Sequence, residues 1–285
     1  MYRILLLILG FNNTKVSVDE INQNKFHRRL VWFQYGYNYY LILICLIYVS
    51  FFYALLSRFK LNLYPLAPFI KPCKDGDNAC ILASSQAVIP VLAPGVPELG
   101  VQPLDPLKVP RITSNQGSLK LTFTDTVLTG LKGCKIESIK HDRIKGKQTL
   151  LLRCDMVLDG DYVLDGQLLI LPVQGKGRYK IDIRDIVIKT VTDLTTEQGP
   201  DGKEHWKIVK WRDSFQVKTG VKFHFDNLFN GNKVLADPVI EFANTNWNDV
   251  MQEIAPPIVH TIIASVFKEI EALYKAVPAD ELYIP

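Results

Sequence analysis

Cysteines are the residues in this chain whose type and spacing most directly suggest chemistry. Cys73 and Cys80 enclose six mostly polar residues in the segment CKDGDNAC, and Cys134 and Cys154 follow later. A zinc site would need cysteine pairs with gaps of two to four residues, and redox chemistry would need C-x-x-C; neither spacing occurs here. An even number of cysteines after a secretory segment favours disulfides. We therefore predict a Cys73–Cys80 staple, and closing this short loop contributes about 2.5 kcal/mol in the chain-entropy model.

Other groups that could act as ligands or catalysts lack a recognisable pattern. The acidic run DGDYVLDG at 159–166 fails the calcium-loop spacing and has no distal glutamate, so we interpret it as turn residues between strands. Histidines are scattered, G-x-S-x-G is absent, and GKGRYK at 175–180 lacks the third glycine of a dinucleotide loop. The sequence predicts no catalytic residue, no metal and no cofactor, and a protein that is not an enzyme.

An apolar segment precedes the first cysteine pair. Residues 41–57, LILICLIYVSFFYALLS, carry no charge and follow the basic HRR at 27–29. The pattern fits an n-region and signal peptide over residues 1–57, which would leave a secreted, extracellular domain of residues 58–285. Seventeen apolar residues also reach the lower end of a bilayer span, about 17–25 residues. An uncleaved anchor on a membrane-tethered surface interaction protein therefore stays open as the alternative.

The charge balance limits the classes of partner. Residues 58–285 carry 28 basic and 27 acidic side chains. A domain so close to neutral, without a basic stripe, is a poor candidate for nucleic acid, because phosphate neutralisation drives that binding.

From residue 118 to about 229 the hydrophobic period is two, as in SLKLTFTDTVL. Successive runs of this kind, separated by short polar turns, predict an antiparallel meander without helices. We place turns near 144–147 and at EQGPDGK, 197–203, and a break at 172–177. Folding about residue 144 sets Cys134 opposite Cys154, close enough for a second disulfide, although a slip of one residue would turn them to opposite faces.

Helical patterns flank the strands. A short helix is predicted from Asn78 to before Gly95, followed by a proline-rich extended loop or linker. A long helix begins at Thr245 or Asn246 and ends at Pro278, with a kink expected at 256–257. Its apolar residues form two adjacent rows, a stripe too wide for a helix on a flat surface, so the sheet must wrap it. The fold class is α+β.

Several segments, taken in order, resemble the insect Takeout and juvenile-hormone-binding protein family. They are the short-loop cysteine pair, GVPELGVQPLDPLKVP at 95–110, YVLDGQLLILPVQGKG at 162–177, NW at 246–247 before the long helix, and the final PADELYIP. The resemblance covers residues 64–285. The first sixty residues depart from it, since signal peptides of the family are shorter, and the Cys134–Cys154 pair is not carried over from the hormone carriers.

The resemblance implies a strongly curved antiparallel sheet around the C-terminal helix, enclosing an apolar tunnel. It implies a monomeric carrier of juvenile hormone, another terpenoid or a fatty-acid-like lipid, in a family tied to circadian output, feeding and chemosensation. Once the signal is cleaved, no stable membrane association is expected. His260 is considered as a polar contact for the ligand. The candidate tunnel residues are Phe215, Val217, Phe223, Phe225, Ile258, Ile262, Val266 and Ile270.

Overall fold

The computed structural model describes residues 47–51 and 66–284. The chain divides into two compact units, Met1–Leu63 and Tyr64–Pro285. Of the predicted signal segment, residues 47–51 are described; they are helical and exposed. The remainder of that segment and the boundary between residues 57 and 58 lie outside the described residues, so the domain division stays a prediction.

The second unit contains a six-stranded antiparallel sheet. The strands are β2 (Leu107–Gln116), β3 (Leu119–Thr129), β4 (Lys135–Asp142), β5 (Lys147–Leu168), β6 (Leu171–Gln198) and β7 (Glu204–Phe225). Their order in the sheet is β2-β3-β5-β6-β7, with β4 paired to β5. The predicted antiparallel sheet is therefore confirmed, with one additional strand at its start and with β3 paired to β5 rather than to β4. A short parallel pair, β1 (Cys73–Lys74) and β8 (Tyr283–Ile284), ties the start of the unit to its end.

Strand β2 was missed because it lies in the proline-rich segment that we assigned to a loop. Pro110 sits inside β2, which pairs with β3 on one side and is the edge of the sheet. Proline is tolerated on an edge strand because its missing N–H would face away from the ladder. The preceding loop is ordered, since the Gln102 N–H donates to the buried Glu269 carboxylate at 2.8 Å.

The predicted break at residues 172–177 is wrong. β5 and β6 turn earlier, at Leu169 and Ile170, and Pro172 already pairs with Gln167. The pairing between β6 and β7 does not extend past Tyr179 toward Pro172. No β7 residue therefore requires a hydrogen bond from the missing N–H of Pro172.

The two glycines of this segment do not form a turn; they lie where other residues pack closely against the backbone of β6. A Cβ at Gly175 would lie 2.8 Å from the Tyr162 hydroxyl, and one at Gly177 would lie 2.6 Å from the Asp226 carbonyl. The acidic run at 159–166 is likewise not a turn, because β5 passes straight through it. Arg178 of β6 pairs with Asp159 of that run across the sheet.

A β-bulge in β4 sets the position of Cys134. From the turn, Asp142 pairs with Lys147, and unbroken pairing would put Cys134 opposite Asp155, one residue out of register. The register shifts between Ile136 and Ser138, which leaves Glu137 as the extra residue. Cys134 thereby meets Cys154 at a Cα–Cα distance of 4.4 Å, and the two form a disulfide.

Three helices longer than two turns complete the unit. α1 spans Asn78–Leu92, as expected, and α3 spans Trp247–Ala276. Between β7 and α3 lies α2 (Lys233–Thr245), which the sequence interpretation missed; its Asn244 side chain bonds both backbone groups of Phe223 in β7. A single turn, α4 (Ala279–Leu282), precedes β8.

The long helix closes the open side of the sheet. α3 contacts both β2 and β7, the two ends of the main strand order, so the sheet curves around the helix without closing into a barrel. The predicted α+β arrangement is confirmed. Among the described residues α3 is long and apolar enough to cross a membrane, yet its rows at Ile254, Ile258 and Ile262 are buried within the domain.

We expect deletion of Glu137 to be tolerated. Removing the extra residue regularises β4 and leaves Cys134 opposite Cys154, so the count of free thiols in denaturant without reductant should equal that of the parent chain. Loss of the exposed Glu137–Arg153 ion pair, 3.0 Å, should lower the free energy of unfolding by at most about 1 kcal/mol.

Deletion of Arg153 is the matched control, because it removes the other partner of the same ion pair but shifts Cys154 by one position. Two additional free thiols are expected in that variant. Release of both thiols by the Glu137 deletion would contradict the assignment of the bulge.

Candidate ligand-binding cavity

A cavity of about 310 Å³ lies beside the C-terminal half of α3. Its walls come from α1, from the ends of β4 to β7 nearest the β4–β5 turn, and from the last turns of α3. Most of this lining is apolar, and it includes Val88, Leu92, Ile139, Leu150, Leu152, Ile208, Val266 and Ile270.

Two smaller cavities of about 40 Å³ each follow along α3 toward its N-terminus. One lies beside Ile258 and Ile262, and the other beside Val250 and Ile254. The three lie one after another along the helix, and the largest of the three is at the end that faces the cysteine pairs.

The predicted tunnel residues divide among these cavities. Val266 and Ile270 line the large one, whereas Ile258 and Ile262 line a small one. Phe223 lines both small cavities and Phe225 lines one of them. The remaining two predicted residues, Phe215 and Val217, line none of the three. His260 also lies apart from them, with its Nδ1 paired to Asp213 at 2.6 Å on an exposed surface.

Both disulfides contribute to the wall of the large cavity. Cys73 joins Cys80 at the start of α1, and Cys134 joins Cys154 at the base of the β4–β5 hairpin. Gln86 of α1 bridges the two regions, because its amide donates to the Cys134 carbonyl and accepts from the Ile136 N–H, at 3.1 and 2.7 Å. The Gln86 hydrogen bonds therefore hold α1 against β4, while the disulfides tie α1 to β1 and β4 to β5.

One end of the large cavity is polar. His141, Gln148 and Thr192 occupy directly opposed positions on β4, β5 and β6, and all three line the cavity. We call these three residues the polar row. Two positions deeper along β5 and β4 the lining becomes Leu150 and Ile139. The cavity therefore has a polar end near the β4–β5 turn and an apolar interior.

Trp206 packs beside the polar row. Its ring stacks on His141, with centroids 5.1 Å apart, and meets the edge of Tyr274 at 5.5 Å. Tyr274 lies on α3 and lines the same cavity. Burial raises the pKa of the Tyr274 phenol to about 12, so this group remains a protonated hydrogen-bond donor at neutral pH.

His205 contacts the backbone carbonyl of Tyr274. The His205 ring is buried, its Nδ1 lies 2.9 Å from the Tyr274 carbonyl, and its Nε2 lies 3.1 Å from the Asp201 carboxylate. Both ring nitrogens thus lie within hydrogen-bonding distance of an oxygen atom. The β6–β7 turn is in this way fastened to the end of α3.

The rim of the cavity is more basic than acidic. Lys71, Lys74 and Arg143 contribute to it, together with the single acidic residue Asp75. The Arg143 guanidinium stacks over the Tyr283 ring, with its carbon 4.3 Å from the ring centroid. Among the described residues, no group of three His, Cys, Asp or Glu side chains is arranged to hold a metal ion.

The polar row, Trp206 and Tyr274 escaped the sequence interpretation. Tyr274 continues the i+4 row of Ile262, Val266 and Ile270 by one more step, so extending that row would have found it. The polar row carries no such signal, because its members are 7 and 44 residues apart and only the strand register makes them neighbours.

Comparison with known proteins identifies the class. Residues 45–284 match the model of the haemolymph juvenile hormone binding protein (JHBP) family, which covers most of the chain. The crystal structure of Epiphyas postvittana Takeout 1 superposes with a TM-score of 0.73 at 31% sequence identity, over 76% of this chain and all of that one. The chain therefore belongs to this family of carriers of small hydrophobic ligands, and the resemblance seen in the sequence is confirmed.

Three relatives have names that point to different roles. The circadian clock-controlled protein daywake of Drosophila melanogaster is 29% identical over 228 residues, 75% of this chain and 86% of that protein. A putative beta-carotene-binding protein of Schistocerca gregaria is 22% identical over 71% of this chain and 82% of its own. The Manduca sexta juvenile hormone-binding protein matches 33% of this chain and 43% of its own at 28% identity.

Asp201 should make the folded state sensitive to acid. The Lys203 N–H donates to its carboxylate at 3.0 Å and, with His205, holds the pKa of Asp201 below its usual value. A carboxyl group whose pKa is lowered by folding stabilises the protein above its unfolded pKa of about 3.9, and that stabilisation is lost as the pH falls through the folded value.

The measurement is urea unfolding from pH 6 to pH 3 for the parent chain and Asp201→Asn. The difference between their midpoints should be constant above about pH 5 and shrink below pH 4. Asp237→Asn, on the exposed face of α2, serves as the matched substitution. A midpoint difference as large at pH 3 as at pH 6 would refute the assignment.

Proposed function

We propose that this protein is a secreted, monomeric carrier that holds one small hydrophobic molecule in the 310 Å³ cavity beside α3. The single observation that carries the proposal is this cavity with its largely apolar lining. The interior of a folded protein normally contains few voids larger than a water molecule. Membership of a family of hydrophobic-ligand carriers supports the same conclusion.

The energetics of such a cavity favour binding without catalysis. Each methylene group moved from water into an apolar environment gains about 0.8 kcal/mol, so ten groups gain roughly 8 kcal/mol before the loss of translational and rotational freedom. Micromolar to submicromolar dissociation constants follow from these magnitudes. No nucleophile or acid–base pair is required, and we propose no reaction.

The volume favours a ligand of modest size. Ligand pockets commonly measure about 300–1,000 Å³, which puts this cavity near the lower limit. A terpenoid of juvenile-hormone size or a fatty-acid-like lipid suits it. A carotenoid, as in the name of the locust relative, would also have to enter the two small cavities. The similarity to daywake supports a physiological role linked to circadian rhythm.

Filling the large cavity should weaken ligand binding. Val266→Phe adds ring volume from α3 into the cavity, so we expect at least a tenfold weaker binding of a fluorescent fatty acid, measured by titration. The same substitution at Val209, an exposed position on β7, should leave affinity unchanged. Circular dichroism verifies that both variants fold. Equal affinity in a folded Val266→Phe variant and the parent would contradict the cavity as the binding site.

Secretion is tested by the N-terminus of the mature protein. Expression of the full chain in insect cells should release protein into the medium with a start near residue 58, as determined by N-terminal sequencing, because the apolar segment is removed as a signal peptide. Full-length protein retained in the membrane fraction would instead favour the anchored alternative. The two disulfides in the domain suit an oxidising compartment.

A further inference from the structure

We propose that the polar row of His141, Gln148 and Thr192, together with Tyr274, binds the head of the ligand, and that this head is an uncharged oxygen-containing group such as a ketone, ester or hydroxyl. This inference rests on the proposed function, since it assigns the orientation and chemical class of the carried molecule. It concerns the residues at one end of the large cavity.

The polar groups of this end lack hydrogen-bond partners among the residues that the structure describes. Thr192 is 4% exposed, yet its hydroxyl forms no hydrogen bond with the described residues, and the same holds for the Gln148 amide and the Tyr274 phenol. The buried Nδ1 of His141 is also without a partner among them. Buried polar groups in proteins are nearly always hydrogen-bonded, so the unpaired His141 nitrogen and the buried Thr192 side chain, beside the half-buried Gln148 and Tyr274, indicate a partner that enters the cavity.

The register of the sheet makes this a built site. His141 opposes Gln148, and Gln148 opposes Thr192, so three neighbouring strands present polar side chains at one level. Trp206 contacts both His141 and Tyr274 and so connects the row to α3. The His205 bond to the Tyr274 carbonyl fixes that part of the helix. The donors are therefore held in place before a ligand arrives, which reduces the entropy lost on binding.

The lack of a lysine or arginine within this group favours an uncharged head. None of the four side chains is a lysine or arginine, and an ionised carboxylate buried without a cation would lose more hydration than neutral donors return. The basic residues Lys71, Lys74 and Arg143 are exposed at the rim. A ketone or ester oxygen accepts hydrogen bonds from a phenol, a hydroxyl and an amide without that penalty.

This assignment orients the whole ligand. With its oxygen at the polar row, the hydrocarbon part extends past Leu150 and Leu152 toward Val266, and then toward the small cavity beside Ile262. The head lies near the β4–β5 turn, and the tail follows α3 toward its N-terminus.

The test uses three probes with the same fourteen-carbon chain: 2-tetradecanone, tetradecane and tetradecanoate. Their dissociation constants are measured at neutral pH by displacement of a fluorescent naphthylamine from the full domain. The parent protein should bind the ketone about tenfold more tightly than the alkane, the effect of one or two hydrogen bonds in a buried site. In Thr192→Val/Tyr274→Phe this ratio should fall below about two, with the alkane affinity unchanged.

Thr190→Val is the matched control. Thr190 lies two residues before Thr192 on the same face of β6 and is 6% exposed, but it does not line the large cavity. It should keep the tenfold ratio. An unchanged ratio in the double variant, or equal affinity of the parent for ketone and alkane, would overturn the proposal.

Three outcomes separate this proposal from the function on which it rests. Tightest binding of tetradecanoate, lost in Arg143→Gln but kept in the double variant, would place the head at the basic rim and overturn the uncharged assignment. Failure of all three probes to bind the folded parent would refute the carrier function itself. Binding of all three with a ratio near one would refute only the polar anchor.

Discussion

The wide apolar stripe of α3 is the constraint on which the rest of the domain depends. Two adjacent rows, one with Ile254 and Ile258 and the other with Ala255 and Val259, are buried along the helix. A stripe this wide needs walls on more than one side. The sheet supplies them because its outer strands, β2 and β7, both contact the helix while its middle strands pass behind it. Strands of 22 and 28 residues, β5 and β6, are long enough to follow a helix of about 45 Å.

The character of the stripe changes toward the C-terminus of α3, and this change produces the cavity. Up to Ile263 the apolar side chains of the stripe are buried against the sheet, whereas Val266, Phe267 and Ile270 are only partly covered. Beside these residues α1 and the β4–β5 hairpin form the opposite wall, and the two disulfides and Gln86 hold that wall in position. This wall is thus kept from moving inward to cover the apolar side chains of α3. A bound hydrocarbon would complete the core at this end.

The main elements of this fold could be predicted from the sequence, and the reasons for the errors are specific. Alternation identified the strands from β3 to β7, although it divided β5 at residues 159–166, and the i+4 rows identified α3, because both patterns reflect burial of one face. β2 and the start of β6 were misjudged because proline is compatible with a strand that is unpaired on one side, and pairing is a tertiary property. α2 carries Pro238 within a short amphipathic run, so it lacked a clear helical signal.

The site was less predictable than the fold because it depends on register. Val266, Ile270 and Tyr274 belong to one periodic row of a helix, and such a row can be extended from the sequence. His141, Gln148 and Thr192 are neighbours only if each hairpin turns at a particular residue, and a shift of one residue would move each of them to the other face. Alternation along β7 also could not show how far the cavities extend. Phe215 and Val217 lie on the same face of β7 as Phe223, but neither lines any of the three cavities.

The bulge at Glu137 connects this register problem to the cavity. Cys134 and Ile136 line the cavity before the bulge, and Ile139 and His141 line it after the bulge, although the two pairs differ in parity along the strand. If Glu137 were present but β4 kept its regular alternation through it, one half of the strand would face the cavity and the other half would face away. A single irregular position therefore lets the same strand supply both the disulfide that fixes the apolar wall and the polar side chain at its end. Relatives with the same helix and sheet could change their ligand by altering this register or the three residues that it aligns, while the stripe of α3 kept the fold.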